Sequence, residues 1–209
     1  MIPRLRAIRN ITGAALCGAF LLACAQAERP GGAPAPADWD ARVAALQGFE
    51  RWELQGRVGV RVAQEGGQMS LQWRHAGADD ALDFSGPLGK GLFAMTVDAN
   101  GAQARDDQGR WHRAVDAETL IYELTGWRIP LQGLRHWVRG VPAPGTPVRI
   151  DWTDDGNART FEQDGWTVAY REFAPAAERV LPRRLALTRA VAGEPAIEIK
   201  LVIQQWRAL

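Results

Sequence analysis

The chain has 209 residues, 25 basic and 24 acidic side chains, a formal net charge of +1 and 46% apolar residues. That balance offers no basic face to a nucleic-acid backbone, and with only Lys90 and Lys200 as lysines there is no polybasic membrane patch. Nine tryptophans against two cysteines, Cys17 and Cys24, point to a fold that stands on its core rather than on disulfides.

Arg4, Arg6 and Arg9 precede the uncharged run from Ile11 to Leu22. This is a basic segment followed by an apolar one too short to span a bilayer. The run closes on Leu21-Leu22-Ala23-Cys24, which resembles a bacterial lipobox. Cys17 follows Leu16 inside the apolar run and lacks the small residue before it. The resemblance implies a lipoprotein signal peptide over 1–23 and an acylated Cys24 as the first mature residue. One acyl chain anchors only marginally at about 0.8 kcal/mol per methylene, whereas two or more hold stably. The mature chain then carries 22 basic and 24 acidic groups and a single cysteine, so no disulfide forms within it. Ala25, in place of the aspartate that retains lipoproteins at the inner membrane, implies the outer one. Residues 24–37, with Pro30-Gly31-Gly32-Ala33-Pro34-Ala35-Pro36, read as a flexible spacer ahead of a folded domain over 38–209.

In that domain Asp38 is placed to cap a helix with Trp39, Val43 and Leu46 on one face, ended by Gly48. From Arg51 the period becomes two. Trp52, Leu54, Val58, Val60 and Val62 alternate with polar residues, Glu65-Gly66-Gly67 is expected to turn, and Met69, Leu71 and Trp73 return. Leu82 to Ser85 is a third strand, and Leu92 to Val97, apolar on both faces, a fourth expected mid-sheet. Asn100-Gly101 and Gln108-Gly109 mark further tight turns. Two helices follow. Asp116 caps the first, Val115 is placed to staple onto Leu120, its apolar face is Leu120, Ile121 and Leu124, and Gly126 takes C′. Pro130 opens the second, with Leu131, Leu134 and Val138 inward and Gly140 closing it. Strands resume over 148–152, 159–163 and 166–170, then, after a polar loop, at Leu185 and Leu187 and from Ile197 onward. About eleven short strands with hairpin turns predict a curved antiparallel sheet or barrel with a helical insertion.

No catalytic pattern accompanies these elements. Ser70 and Ser85, the only serines, lie outside G-x-S-x-G. His75, His112 and His136 are scattered, without a partner at metal-ligand spacing, and read as surface or cap histidines. The spacing around Gly89-Lys90 is too short for a phosphate loop. Asp79-Asp80 and Asp106-Asp107 fall in predicted turns and are expected to be solvated. The expectation is a protein that is not an enzyme, with no metal and no cofactor.

The mature chain resembles the outer-membrane lipoprotein receptor family LolB. The residues that carry this are Trp52-x-Leu54-x-Gly56-Arg57-Val58, Leu71-x-Trp73 and Gly86-Pro87-Leu88-Gly89. They continue through Leu124-Thr125-Gly126-x-x-Ile129-Pro130-Leu131 and Leu134-x-x-Trp137-Val138-x-Gly140-Val141-Pro142. They end with Gln163-Asp164-Gly165-Trp166-x-Val168-x-Tyr170, Leu181-Pro182 and Trp206. The resemblance implies a mainly β fold, an incomplete antiparallel barrel whose helices lid an apolar cavity, as in LolA and LolB. It implies a monomeric chaperone that takes triacylated lipoproteins from the periplasmic carrier LolA and inserts them into the outer membrane. Cys24 would carry its own lipid, and the domain would face the periplasm. The acyl chains would be taken by large, adaptable walls, expected at Met69, Leu71, Trp73, Phe84, Phe93, Met95, Leu120, Leu124 and Trp137. Leu88, between Pro87 and Gly89, would protrude from its turn and deliver cargo into the membrane. The competing expectation is an envelope scaffold lipoprotein whose barrel is filled by its own side chains.

Overall fold

The computed structural model describes residues 35–86, 91–193 and 195–209. Cys24, the signal peptide and the spacer as far as residue 34 lie outside the described residues, as do Pro87, Leu88 and Gly89. The chain divides into two units, Met1–Pro30 and Gly31–Leu209, and all that follows concerns the second.

After helix α1 (Trp39–Gln47), six strands form a meander: β1 (Arg51–Val62), β2 (Glu65–Ala76), β3 (Asp79–Ser85), β4 (Gly91–Asp98), β5 (Gly101–Asp106) and β6 (Trp111–Ala114). A second meander holds β7 (Arg149–Trp152), β8 (Ala158–Gln163), β9 (Trp166–Ala176), β10 (Arg179–Arg189) and β11 (Ile197–Ala208). β1 pairs antiparallel with β11, so the two meanders fuse into one open, eleven-stranded antiparallel sheet ordered β6-β5-β4-β3-β2-β1-β11-β10-β9-β8-β7. Its edges are therefore β6 and β7, consecutive in the chain and four residues each. Such short edges offer little to a foreign strand. The chain passes from one edge to the other through α2 (Ala117–Thr125) and α3 (Leu131–Trp137). Both helices bury one side against the sheet's inner face, through Leu120 and Ile121 of α2 and Leu131, Leu134 and Trp137 of α3. Among the described residues no helix is long and apolar enough to cross a membrane.

Alternation puts the core on that single face. In β1, Leu54, Val58 and Val60 are buried while Arg57 and Arg61 are exposed. Two glycines allow the strands to close up. A Cβ on Gly56, at the β1–β11 register shift, would lie 2.4 Å from the Val202 carbonyl oxygen. One on Gly66 would lie 2.4 Å from that of Val60.

Several local expectations are corrected. The first hairpin turns at Ala63-Gln64, with Ala63 at φ 52°, and Glu65-Gly66-Gly67 already belong to β2 because the glycines relieve strand crowding. β9 and β10 run on to a turn at Ala177-Glu178, both with positive φ, where a polar loop was expected. β4 is third from an edge, and Ala94 and Thr96 are exposed, so it is not apolar on both faces. Asp116 does cap α2, accepting from the Thr119 amide at 2.7 Å, and Gly126 is left-handed at φ 74°. Val115, however, is 83% exposed and staples nothing. Asp38 makes no cap bond, because Arg42 takes its carboxylate at 3.1 Å.

Gly133 within α3 has a steric reason. A Cβ there would lie 2.5 Å from the Trp137 ring, one turn on. Alanine would gain about 1 kcal/mol in helix propensity. Overpacking costs about 1–3 kcal/mol, so Gly133→Ala should lower stability on balance. A lower urea midpoint with unchanged m-value is the expected readout; a higher midpoint would mean that Trp137 has another place to go.

Candidate functional site

Beneath the two helices lies a hollow whose exposed wall is apolar. Its floor is Val58 and Val60 of β1, Met69, Leu71 and Trp73 of β2, and Ile199 and Leu201 of β11. Leu82 and Phe84 of β3 and Phe93 of β4 close one flank, the two phenylalanine rings 4.5 Å apart between centroids. The roof is Ile121 and Thr125 of α2, Trp127 and Ile129 of the connecting segment, and Leu131 and Leu134 of α3. Thr125 adds no polar demand, since its hydroxyl donates to the Ile121 carbonyl at 2.7 Å and accepts from the Trp127 amide at 3.1 Å.

The free volume is about 40 Å³. That is room for a few water molecules at roughly 10–15 Å³ each, so the closed hollow is nearly filled by its own walls.

Of the residues expected at an apolar wall, Met69, Leu71, Trp73, Phe84 and Phe93 face this hollow. Met95, Leu120 and Trp137 do not; they are fully buried elsewhere in the core, and Leu124 is only partly covered. The floor residues Val58, Val60, Ile199 and Leu201 are legible as inward strand positions, yet nothing local tells which of them meet the hollow. Trp127 and Ile129 were missed although their signal is present. Gly126-Trp127-Arg128-Ile129-Pro130 alternates like a strand, turning Trp127 and Ile129 inward and Gly126, Arg128 and Pro130 to an outer groove. Gly67 leaves the space that the Trp127 ring covers, at 3.6 Å from where a Cβ would stand.

The roof is held unevenly. Among the described residues the segment 126–130 makes no hydrogen bond to the sheet. The far end of α3 is pinned by many. Trp137 Nε1 donates to Gln163 Oε1 at 2.9 Å, and the Tyr170 hydroxyl donates to the Trp137 carbonyl at 2.8 Å. Burial pushes the Tyr170 phenol well above its usual value, so it remains a donor. Arg139, just beyond the helix, donates to the carbonyls of Leu46, Gln47 and Phe49 at 2.8, 3.1 and 3.0 Å and so ties α3 to the end of α1.

Between these ends sits a buried clasp that overturns two expectations. Asp80, expected in a solvated turn, is 3% exposed because β3 starts at Asp79 and its alternation turns position 80 inward. His75, expected at the surface, is 5% exposed. Asp80 Oδ1 accepts from Trp73 Nε1 at 2.8 Å and lies 2.8 Å from His75 Nδ1, while Oδ2 pairs with Arg135 of α3. Trp52 packs against Trp73 and His75, each with centroids 5.0 Å away. The clasp is incompletely satisfied: Trp52 Nε1 and Arg135 Nε are buried without a hydrogen-bond partner among the described residues. Asp106 is likewise engaged rather than solvated. Its bond from His112, with those from Arg110 and Gln108, holds its carboxyl well below the usual range.

His136 adds a pH dependence. Its Nδ1 lies 3.1 Å from an Arg139 nitrogen, which can only donate, so the ring is neutral. Burial first, then Arg139, His75 and Arg135, push it down from 6.5 to about 4. The unfolded ring binds its proton at higher pH than the folded one. This contribution to stability is therefore complete above 6.5 and is lost as pH falls toward about 4. Thermal midpoints should fall across that window, and His136→Gln should flatten the slope there; an unchanged slope would remove His136 as the cause.

A family model described as "Outer membrane lipoprotein LolB" matches residues 50–206. The "Outer-membrane lipoprotein LolB" of Alkalilimnicola ehrlichii is 34% identical over 92% of this chain and 94% of its own length. That of Xanthomonas campestris pv. campestris is 32% identical over 94% of each. Among solved structures, a LolA superfamily protein from Nitrosomonas europaea superposes with a TM-score of 0.52, covering 81% of this chain and 93% of that one. At 8% identity that likeness is one of fold.

Proposed function

The chain belongs to the LolB family of outer-membrane lipoproteins, and from that premise we propose that it receives lipoproteins bearing three acyl chains and passes them into the outer membrane. The supplier is the soluble periplasmic carrier LolA, and a lipid on Cys24 holds the receptor at the membrane, facing the periplasm. Three chains carry on the order of forty methylenes, whose exposure to water would cost roughly 30 kcal/mol at about 0.8 each. Passage from carrier to bilayer therefore needs a protein interior. The sequence has no phosphate loop, so the relay runs downhill, by binding and release rather than by breaking a bond.

The observation that carries this reading is the wholly apolar hollow roofed by a segment that, among the described residues, has no polar tie to the sheet. Forty methylenes do not fit in 40 Å³, so loading displaces the roof. The pinned end of α3 supplies the pivot, and Trp127 and Ile129 are the side chains that must lift. A receptor that is mostly closed binds with an affinity reduced by its open fraction. That suits a relay, which must hold its cargo less tightly than the bilayer does.

A fluorescent apolar probe titrated into Cys24→Ala protein is expected to bind saturably, and the same protein to draw lipoprotein from loaded carrier. Uptake that never saturates, with no competition for carrier-held cargo, would instead leave a scaffold with a filled interior, the reading that the small free volume favours.

A further inference from the structure

We propose that the groove outside segment 126–130 binds the head of the client, the glyceryl ester and amide carbonyls of its lipidated N-terminal cysteine, through Arg128 and Arg189. This rests on the reading that the hollow takes acyl chains.

Three observations converge on it. The groove and the hollow share a wall one chain thick: Val60 and Ile199 face the hollow while Val62 and Ile197, two residues along the same strands, face the groove. A chain that enters under the lifted segment thus leaves its head in the groove. The groove also has the size the hollow lacks, about 770 Å³. Its chemistry then selects acceptors. Arg128 lies over the Tyr122 ring at 4.4 Å and Arg189 over Trp166 at 5.9 Å. Among the described residues neither guanidinium makes a hydrogen bond or an ion pair within 4 Å.

Of the groove's carboxylates, Asp116 caps α2, and Glu118, pushed up first by burial and then by Asp116, stands in the field of Arg189. Two donor-only groups, each resting on an aromatic ring, are thereby presented to whatever lies there. Ester and amide carbonyls are acceptors that ask for no donor in return. Preorganised guanidinium groups meet them at a lower entropic cost than free ones.

The test compares probes with and without the head. In the Cys24→Ala background, a synthetic S-diacylglyceryl, N-acyl cysteinyl peptide and a pyrene-labelled alkane are titrated against wild type and Arg128→Gln/Arg189→Gln. The double variant should bind the lipopeptide about tenfold or more weaker, the effect of lost charge-assisted hydrogen bonds, while its alkane affinity stays within about twofold. Arg128→Lys/Arg189→Lys should recover part of the loss, which a collapsed groove would not. Unchanged lipopeptide binding overturns the proposal. Parallel weakening for both probes does so too, since it indicates a damaged wall. A loss confined to binding of phosphatidylglycerol vesicles would assign the arginines to phospholipid phosphate and overturn it as well. If wild type binds the alkane, a failed lipopeptide contrast rejects only the head site; if wild type binds neither probe, the transfer reading itself fails.

Discussion

Asp80→Ala is expected to lower the free energy of unfolding by about 3–5 kcal/mol, the usual cost of removing one member of a buried ion pair. It should at the same time raise the affinity for an apolar probe. Arg135 is the one residue of α3 that reaches Asp80, and it stands next to Leu134, which roofs the hollow. Without Asp80 the closed roof loses its charged tie while the open one loses nothing. Each 1.4 kcal/mol removed from the closed state multiplies the open fraction, and hence apparent affinity, by about ten while that fraction is small. The unpartnered Trp52 Nε1 and Arg135 Nε point the same way, since opening would let water reach groups the closed form leaves unsatisfied. Arg135→Met, which leaves the buried Asp80 carboxylate without its guanidinium, should cost a similar amount of stability and also tighten probe binding. Urea unfolding and probe titration measure the two effects separately. Lost stability with unchanged affinity would make the clasp ordinary core packing.

The other large effect is on delivery. Leu88→Glu should leave acceptance of cargo from the carrier intact and abolish its incorporation into bilayers. On membrane-insertion scales a leucine is favourable by about 0.5 kcal/mol and a mid-membrane acid unfavourable by about 3, so the swap is worth several hundred-fold in membrane contact. The strands on either side explain why loading should be spared. Ser85 ends β3 and Gly91 begins β4, and neither lines the hollow, whose flank there is Phe84 and Phe93. A reconstituted transfer from loaded carrier to liposomes, separated by flotation, reads both steps. A variant that still deposits cargo normally would remove Leu88 from the mechanism.

The sequence by itself determined the features that depend on neighbours along the chain. Period-two alternation in Arg51–Val62 or Ile197–Ala208 names the buried face because successive side chains point to opposite sides wherever the strand is placed. Asp116 and Gly126 bound α2 because capping is a contact over a few residues. The ordered motifs from Trp52 to Trp206 were likewise enough to point to the LolB family.

Only the tertiary structure decided what depends on distant pairing. The register between β1 and β11 makes β6 and β7 the edges and so sends α2 and α3 over the inner face, and no local pattern encodes it. Asp80 looks like a turn residue until Arg135, 55 positions on, arrives to pair with it. A buried carboxylate is stable only with a partner, and that partner belongs to another element. Likewise Met95, Leu120 and Trp137 are as apolar as Met69 and Phe93. Which of them borders the hollow is settled by where the helices come to rest, because hydrophobic burial has no direction of its own.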